Sequence, residues 1–492
     1  MKRLIGVLLC CAVVLGAVGC DKKSDVQKSD NSKKYNGMDI SEHVDLTMYL
    51  IGTKPDDMDK VLEKFNEKLN NDLNATLGIE WIGWGDFAKE YPILLTSGET
   101  VDLIYSGSWL NFYENAQRGA FLELDDILSK YAPESFGNMS EADIKDVSVN
   151  GHIYAVPADY TNFNAFGPMI RSDYLEEYNI SSIDSFQDYI NLCVEIGTND
   201  SIDPTGLCSS SIELDDLYLL SEGYYPLSGS TGSLYWVDLE DPDKTVYFAS
   251  ECPKMDYFLK NAAKWYKQGC WSKDALYSKD ETMLESGKAA SRVHNYDAWL
   301  GESGKDNDYE LLYFNLAKPL YKQTASQDCM SIPKSSKHPE RALMLLEKLK
   351  NDESYYMLLT YGIEGYNYEK DGDTKINFLN DTYGNEPGTW GFRNAKFYKQ
   401  NTAVSDEAIK EREEYVASAE ENPMPGFHMI LSEMETKYDQ IAYISKLYYD
   451  PLVLGYVDYD EGKKLLNDNL TSEGNAEIKK LLQKQVDDYF SE

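Results

Sequence analysis

The chain has 492 residues, with 84 acidic against 47 basic side chains, a formal net charge of −37, and an aromatic content of 13% that includes 38 tyrosines and 8 tryptophans. So acidic a surface repels polyanions, which excludes nucleic acid as a partner, and a hydrophobic share of 42% excludes disorder for the bulk of the chain. Tyr and Trp rings join a flat apolar face to a polar edge and so suit partners of the same mixed character, sugars among them, while most such rings in any protein fill its core.

Met1-Lys2-Arg3 is a short basic start, and residues 4–18 are apolar and uncharged. At about fifteen residues this run is shorter than the ~20 that a membrane-spanning helix needs, and it ends in Ala17-Val18-Gly19-Cys20. Small residues directly before a cysteine resemble a bacterial lipobox. The resemblance implies that 1–19 is a signal peptide, that Cys20 becomes the lipidated first residue, and that lipid rather than helix anchors the mature protein. The alternative, an ordinary cleaved signal, would release it. Residues 20–43, rich in Asp, Lys, Ser and Asn without apolar periodicity, read as a flexible tether. The remaining residues exceed what one core usually supports and imply two lobes.

The segment 44–51 reads as a strand ended by Gly52, and Pro55 opens a helix with Met58, Leu62, Phe65, Leu69 and Leu73 on one face. Leu77, Ile79 and Trp81 alternate as a second strand, and 101–105 is a third. This β-α-β-α-β order predicts a mostly parallel sheet, whose ligands sit at the carboxyl ends of the strands, in the loops that carry Trp84 and Trp109. Asn150-Gly151 is a turn between 147–149 and 153–156, a hairpin. Helices are expected at 183–196 and 257–266, with a Gly-, Ser- and Tyr-rich surface excursion over 223–236 between them. Residues 287–296 read as a short strand leading to a loop, and 311–314 as another strand. Pro339-Glu340-Arg341 starts a helix, and a last helix from Ala476 aligns Ile478, Leu482, Tyr489 and Phe490.

Beyond the leader, Cys193, Cys208, Cys252, Cys270 and Cys329 lack C-x-x-C spacing, which leaves both disulfides and free buried thiols open. Phosphate-loop, G-x-G-x-x-G, H-E-x-x-H and G-x-S-x-G signatures are absent, and the five histidines are too scattered for a local metal motif. No catalytic residue, metal or cofactor is expected.

A collinear series of short segments, at 48–52, 80–86, 97–105, 119–125, 151–157, 331–334, 339–343, 361–365 and 390–394, resembles family 1 of the extracellular solute-binding proteins, in the branch typified by the lipoprotein LipO. The end of the chain, with Gly426-Phe427 and Gln483-Lys484-Gln485-Val486-Asp487, is similar to the DUF3502 domain that closes this branch. The resemblance implies an α/β, periplasmic-binding-protein-like fold of type II, with two α/β lobes, a central cleft and multiple hinge crossings. It further implies a monomeric, non-enzymatic, extracytoplasmic protein that delivers a small-molecule solute to the permease subunits of an ABC importer. On this frame lobe 1 is expected to comprise 44–160 and 289–325, lobe 2 to comprise 161–288 and 326–420, and 421–492 to form the helical DUF3502-like region.

The expected ligand is a carbohydrate, in particular an oligosaccharide, stacked on aromatic faces and hydrogen bonded by short polar groups. Trp84 and Trp109 follow strand ends. Asp159, Tyr160 and Asn162 lie at the first crossing between lobes, and Asn295, Tyr296 and Trp299 near a return crossing. Gln327, Asp328, Glu364, Trp390 and Arg393 come from segments of the resemblance, with a structural Glu364–Arg393 ion pair as the alternative role for those two. A peptide ligand, a secreted carbohydrate-active enzyme and a surface adhesin are the competing readings.

Overall fold

The computed structural model describes residues 33–209, 212–304, 309–384, 386–431 and 434–491, so the leader, Cys20 and most of the tether lie outside the described residues. The chain divides into two units at residue 42. In the first, Lys34–Tyr35 pairs with Met38–Asp39 as a small hairpin, turned by Asn36 and Gly37 at φ 48° and 82°. An Asn-Gly pair takes this positive-φ hairpin turn readily, so the end of the expected tether carries local structure.

The second unit holds the fold. Strand β1 (Val44–Ile51) alternates buried Val44, Leu46, Met48 and Leu50 with more exposed residues. Strand β2 (Ala75–Ile82) pairs with it in parallel from Val44–Ala75 to Ile51–Ile82. The crossover helix Met58–Leu73 buries Met58, Val61, Phe65, Leu69 and Leu73; Val61 takes the inward place expected of Leu62, as the helical period allows either. Strand β3 (Leu103–Ser106) pairs in parallel with β1. There follow β4 (Ala155–Pro157), β5 (Phe166–Arg171), β6 (Ser291–Asn295), β7 (Leu311–Tyr313) and β8 (Cys329–Ser331).

Two sheets organise the lobes. The first has the order β2-β1-β3-β8-β4, with β8 antiparallel to both β3 and β4. The second has the order β6-β5-β7, antiparallel throughout. This pairing corrects the expected division of the chain. Strands β6 and β7, within 289–325, flank β5 in the second lobe, whereas β8 returns the chain to the first lobe, where Tyr355 meets Phe65 edge-on at 5.3 Å. Periodicity identifies a strand but carries nothing about its partner, which long-range contacts decide.

Three segments cross between the lobes and lie side by side. Asp159 bridges to Asn394, Phe163 to Lys322, and Tyr321 to Glu420. The third then enters helix Asp406–Ser418, whose Ala408 packs in a cluster with Tyr296, Trp299 and Tyr313.

The second lobe has a large core into which the C-terminal region is built, so that Phe166, Ile190 and Trp236 share one cluster with Leu452, Ile478 and Val486. The stretch 223–236 is no surface excursion. Tyr224–Pro226 and Tyr235–Asp238 are paired strands with Tyr224, Tyr225, Tyr235 and Trp236 buried; the small residues supply the turn and the tyrosines its buried flanks. The last helix, Asn475–Ser491, buries Ile478, Leu482 and Val486, while Phe490 is left exposed. The C-terminal region also touches the first lobe. The His428 ring stacks on Tyr113 at 4.8 Å, Gln117 donates to the Met429 carbonyl at 2.8 Å, Gly426 N–H donates to Asp146 at 2.7 Å, and Arg118 lies 3.3 Å from Asp439 and 3.5 Å from Glu435. The five cysteines are buried free thiols.

Where helix Leu214–Ser221 meets the C-terminal region, three carboxylates crowd together. Burial, then the neighbouring Asp215 charge, push Asp450 up to about 7. Burial pushes Asp215 up to about 6, and burial with the Asp215 charge drives Asp216 well above the ordinary range. Because the folded state binds these protons more tightly than an unfolded Asp near ~3.9, the stability they contribute is complete below about pH 4 and is lost as pH rises through 6 to 7. Asp450→Asn is therefore expected to stabilise the protein by up to about 4 kcal/mol at pH 8 and to leave it nearly unchanged at pH 4. Urea unfolding at the two pH values checks this, and an equal effect at both would refute it.

Candidate ligand cleft

The carboxyl ends of β2 and β3 present two tryptophans, as the strand order predicts. Trp84, 37% exposed, stacks against Trp109 with ring centroids 6.0 Å apart and planes at 23°. Trp390, distant in sequence, completes the group at 5.7 Å from Trp84 and 5.9 Å from Tyr105. Phe87 packs edge-on against both Trp84 and Trp109, at 6.0 and 5.8 Å. Two glycines allow this convergence. A side chain at Gly107 would stand 2.5 Å from the Gln327 carbonyl and 2.9 Å from the Trp109 ring nitrogen, and one at Gly391 would stand 2.7 Å from the Cys329 carbonyl.

Polar groups adjoin the rings. The Trp109 ring N–H donates to the Tyr105 hydroxyl at 3.1 Å, and that hydroxyl donates to Asp328. Asn162 donates to the other Asp328 oxygen at 2.8 Å. Ser108 donates to the Gln327 side-chain carbonyl at 3.1 Å. Burial first, then the Asp328 charge, hold the Tyr105 hydroxyl protonated far above the ordinary range. It is a fixed donor.

A chain of buried charges links the crossings. Arg393, 6% exposed, makes a two-pronged pair with Glu386 at 2.6 and 2.7 Å and approaches Asp297 of the second lobe at 3.9 Å. Arg412 makes a similar fork onto Asp297 at 2.7 and 3.2 Å and donates to the Thr161 carbonyl at 2.9 Å. Both guanidinium groups lie over the Tyr160 ring, at 4.4 and 4.2 Å. Burial raises the Asp297 carboxyl, yet the Arg412 charge and hydrogen bond, aided by Arg393, outweigh it and hold the group below its usual range. For Glu386 burial wins over Arg393, and its carboxyl is raised. At the margin, Asp86 of the first lobe meets Lys279 of the second at 3.5 Å.

The structure thus brings together Trp84, Trp109, Trp390, Asn162, Gln327 and Asp328, with Tyr160 and Arg393 in the adjoining charge network. It corrects other expectations. Tyr296 and Trp299 are core residues, 1% and 7% exposed; the Trp299 ring N–H donates to the Leu311 carbonyl at 2.9 Å and Tyr296 to the Ala408 carbonyl at 2.9 Å. The chain continues from β6 into a helix, Tyr296–Ser303, whose apolar face turns inward, and Asn295 caps that helix by accepting from Ala298 N–H at 2.9 Å. Asp159 is tied to buried Lys350 at 3.2 Å and to Asn394 at 3.3 Å. Glu364 is exposed and pairs with Lys370 at 3.8 Å; the partner of Arg393 is Glu386. Sequence reasoning missed Phe87, Tyr105, Asp297, Glu386 and Arg412. The place of Tyr105 at the end of β3 was a usable signal, as was that of Asp297 between two candidates; for Glu386 and Arg412 there was none. Among the described residues no group of three or more His, Cys, Asp or Glu could hold a metal ion.

Two α/β lobes joined by three crossings, with aromatic faces and fixed donors at the strand ends, define a solute-binding protein of the type II fold. The description of bacterial extracellular solute-binding proteins matches residues 52–356, and DUF3502, a domain of unknown function, matches 423–491. The chain belongs to the bacterial extracellular solute-binding protein family, and its place is outside the cytoplasm. It is 27% identical over 479 residues to a carbohydrate ABC transporter substrate-binding protein of Streptococcus pneumoniae serotype 4, covering 94% of this chain and 93% of the relative. It is 22% identical over 396 residues to the polygalacturonan/rhamnogalacturonan-binding protein YtcQ of Bacillus subtilis, covering 75% and 74%. Among solved structures, the N-glycan transport solute-binding protein of Streptococcus pneumoniae in complex with Man1GlcNAc is similar, with a TM-score of 0.79, 25% identity, and coverage of 91% of this chain and 100% of that one. The alginate-binding protein AlgQ2 shares the fold at a TM-score of 0.64 and 16% identity, covering 91% and 99%.

Proposed function

We propose that this protein is the substrate-binding component of an ABC importer, capturing one oligosaccharide between its lobes as a monomer and handing it to membrane permease subunits. The observation that carries this reading is the convergence of Trp84, Trp109 and Trp390 beside a floor of fixed hydrogen-bonding groups, Tyr105, Asn162, Gln327 and Asp328. Sugar C–H faces stack on such rings and sugar hydroxyls pair with such a floor. Contacts made to both lobes at once favour the closed form and so couple capture to closure. The carbohydrate-transport relatives support the same reading.

The state of two buried carboxylates supports binding without turnover. Glu386 and Asp297 are both committed to arginines, which leaves neither as a free member of the acid and base pair that glycoside hydrolysis needs. Calorimetry with neutral and acidic oligosaccharides, peptides and amino acids, alongside product analysis, tests the function. One-to-one binding of a saccharide with no product is expected. Binding confined to peptides, or steady hydrolysis, would overturn the reading.

The lipobox-like Ala17-Val18-Gly19-Cys20 supports anchoring by lipid on Cys20. Cys20→Ala is expected to move most of the protein out of the detergent-soluble membrane fraction and to abolish labelling by a radioactive fatty acid. Unchanged labelling would refute the anchor.

A further inference from the structure

We propose that the cleft selects uncharged oligosaccharides and rejects those built from uronic acids. The inference rests on the carbohydrate reading and narrows it to a substrate class. The family fold does not decide the matter, because a relative that binds polygalacturonan and a structural neighbour that binds alginate share it with an N-glycan carrier. Charge at the site does.

A uronate carboxylate accepts hydrogen bonds and donates none, so its recognition calls for an uncompensated cation or a set of free donors. Among the described residues, each basic side chain named above in the cleft and its charge network is matched. Arg393 is held by Glu386, Arg412 by Asp297, buried Lys350 by Asp159 and the Pro157 carbonyl, and Lys279 by Asp86. Recruiting Arg393 to a ligand would strip Glu386, only 7% exposed, of its cation and leave a buried charge uncompensated. Recruiting Arg412 would leave Asp297 only its 3.9 Å approach to Arg393, a guanidinium already held by Glu386.

The fifth carboxylate, Asp328, has no salt-bridge partner among the described residues. Its side chain accepts from the Tyr105 hydroxyl and the Asn162 amide. A neutral sugar hydroxyl can donate to Asp328 and complete its hydrogen bonding, whereas a uronate brings a second anion to it. On a chain of net charge −37 the long-range field acts in the same direction. The polar floor thus discriminates by donor and by charge at one residue.

The test uses the purified protein with neutral gluco-, manno- and N-glycan-type oligosaccharides of four to six units, against oligogalacturonate and oligomannuronate of the same lengths. Tryptophan fluorescence titration and calorimetry are run at low and high salt. At least one neutral oligosaccharide is expected to bind saturably, with both uronates weaker by about 100-fold or more at low salt and the gap narrowing as salt screens the repulsion. Asp328→Asn, which keeps the size of the side chain and removes its charge, is expected to lower the neutral-to-uronate preference by about tenfold. A uronate that binds within tenfold of the best neutral ligand would overturn the proposal and leave the carbohydrate reading standing. Failure of every saccharide to bind would bring down both.

Discussion

Replacing Trp84 and Trp109 together with alanine is expected to weaken oligosaccharide binding by at least about 100-fold and to abolish the ligand-induced rise in thermal stability. Each ring removes 150–250 Å² of apolar surface from water when covered, and stacking adds about 0.5–1.5 kcal/mol beyond the area. Even a fraction of that sum from two rings exceeds the ~2.7 kcal/mol that corresponds to 100-fold. The free protein should lose some stability but stay folded, because Trp84 is already 37% exposed, while Trp109 gives up its contacts with Phe87 and Tyr105. Calorimetry gives the affinity and thermal unfolding with and without ligand gives the coupling. Retention of full stabilisation by the double variant would remove these rings from the site.

The largest effect on stability is expected from Arg393→Ala. The substitution leaves Glu386 buried without its cation and takes a guanidinium from the face of Tyr160. Breaking one side of a buried pair costs about 3–5 kcal/mol, whereas replacing both sides by apolar groups of similar volume is often close to neutral. The paired change Arg393→Met with Glu386→Leu should therefore recover a good part of the loss. Urea midpoints of the three proteins decide the matter, and a single variant that unfolds at the wild-type midpoint would show the pair to be unimportant.

Much of the first lobe is legible in the sequence because its signals are local. Alternation over Val44–Ile51, the helical face from Met58 to Leu73, and the Asn150-Gly151 turn each determine an element within a few residues of themselves. Trp84 and Trp109 follow from strand order alone. What sequence reasoning loses is pairing at a distance. Strand β8 enters the first sheet more than 200 residues after β3, and β6 joins β5 across more than 100 residues, so a reading in chain order splits the lobes in the wrong place. The same cause misassigns Tyr296 and Trp299. They lie near a crossing, as expected, but helical periodicity aims their rings into the cluster with Tyr313 and Ala408. The sequence points to Arg393 but suggests Glu364 as its partner, although Glu386, the acid it pairs with, is nearer along the chain. Spacing along an irregular loop does not reveal which of two acids folds back.

The C-terminal region has its roots in the second lobe and its outer contacts on the first, through His428 on Tyr113, Gly426 on Asp146 and Arg118 between Asp439 and Glu435. Tyr113 in turn holds Ser326, one residue from Gln327 on the cleft floor. Any swing of one lobe against the other must stretch or shear this strap, whatever happens at the three crossings. The jaw therefore has two fastenings, and the work done against the second sets how widely it gapes before cargo arrives.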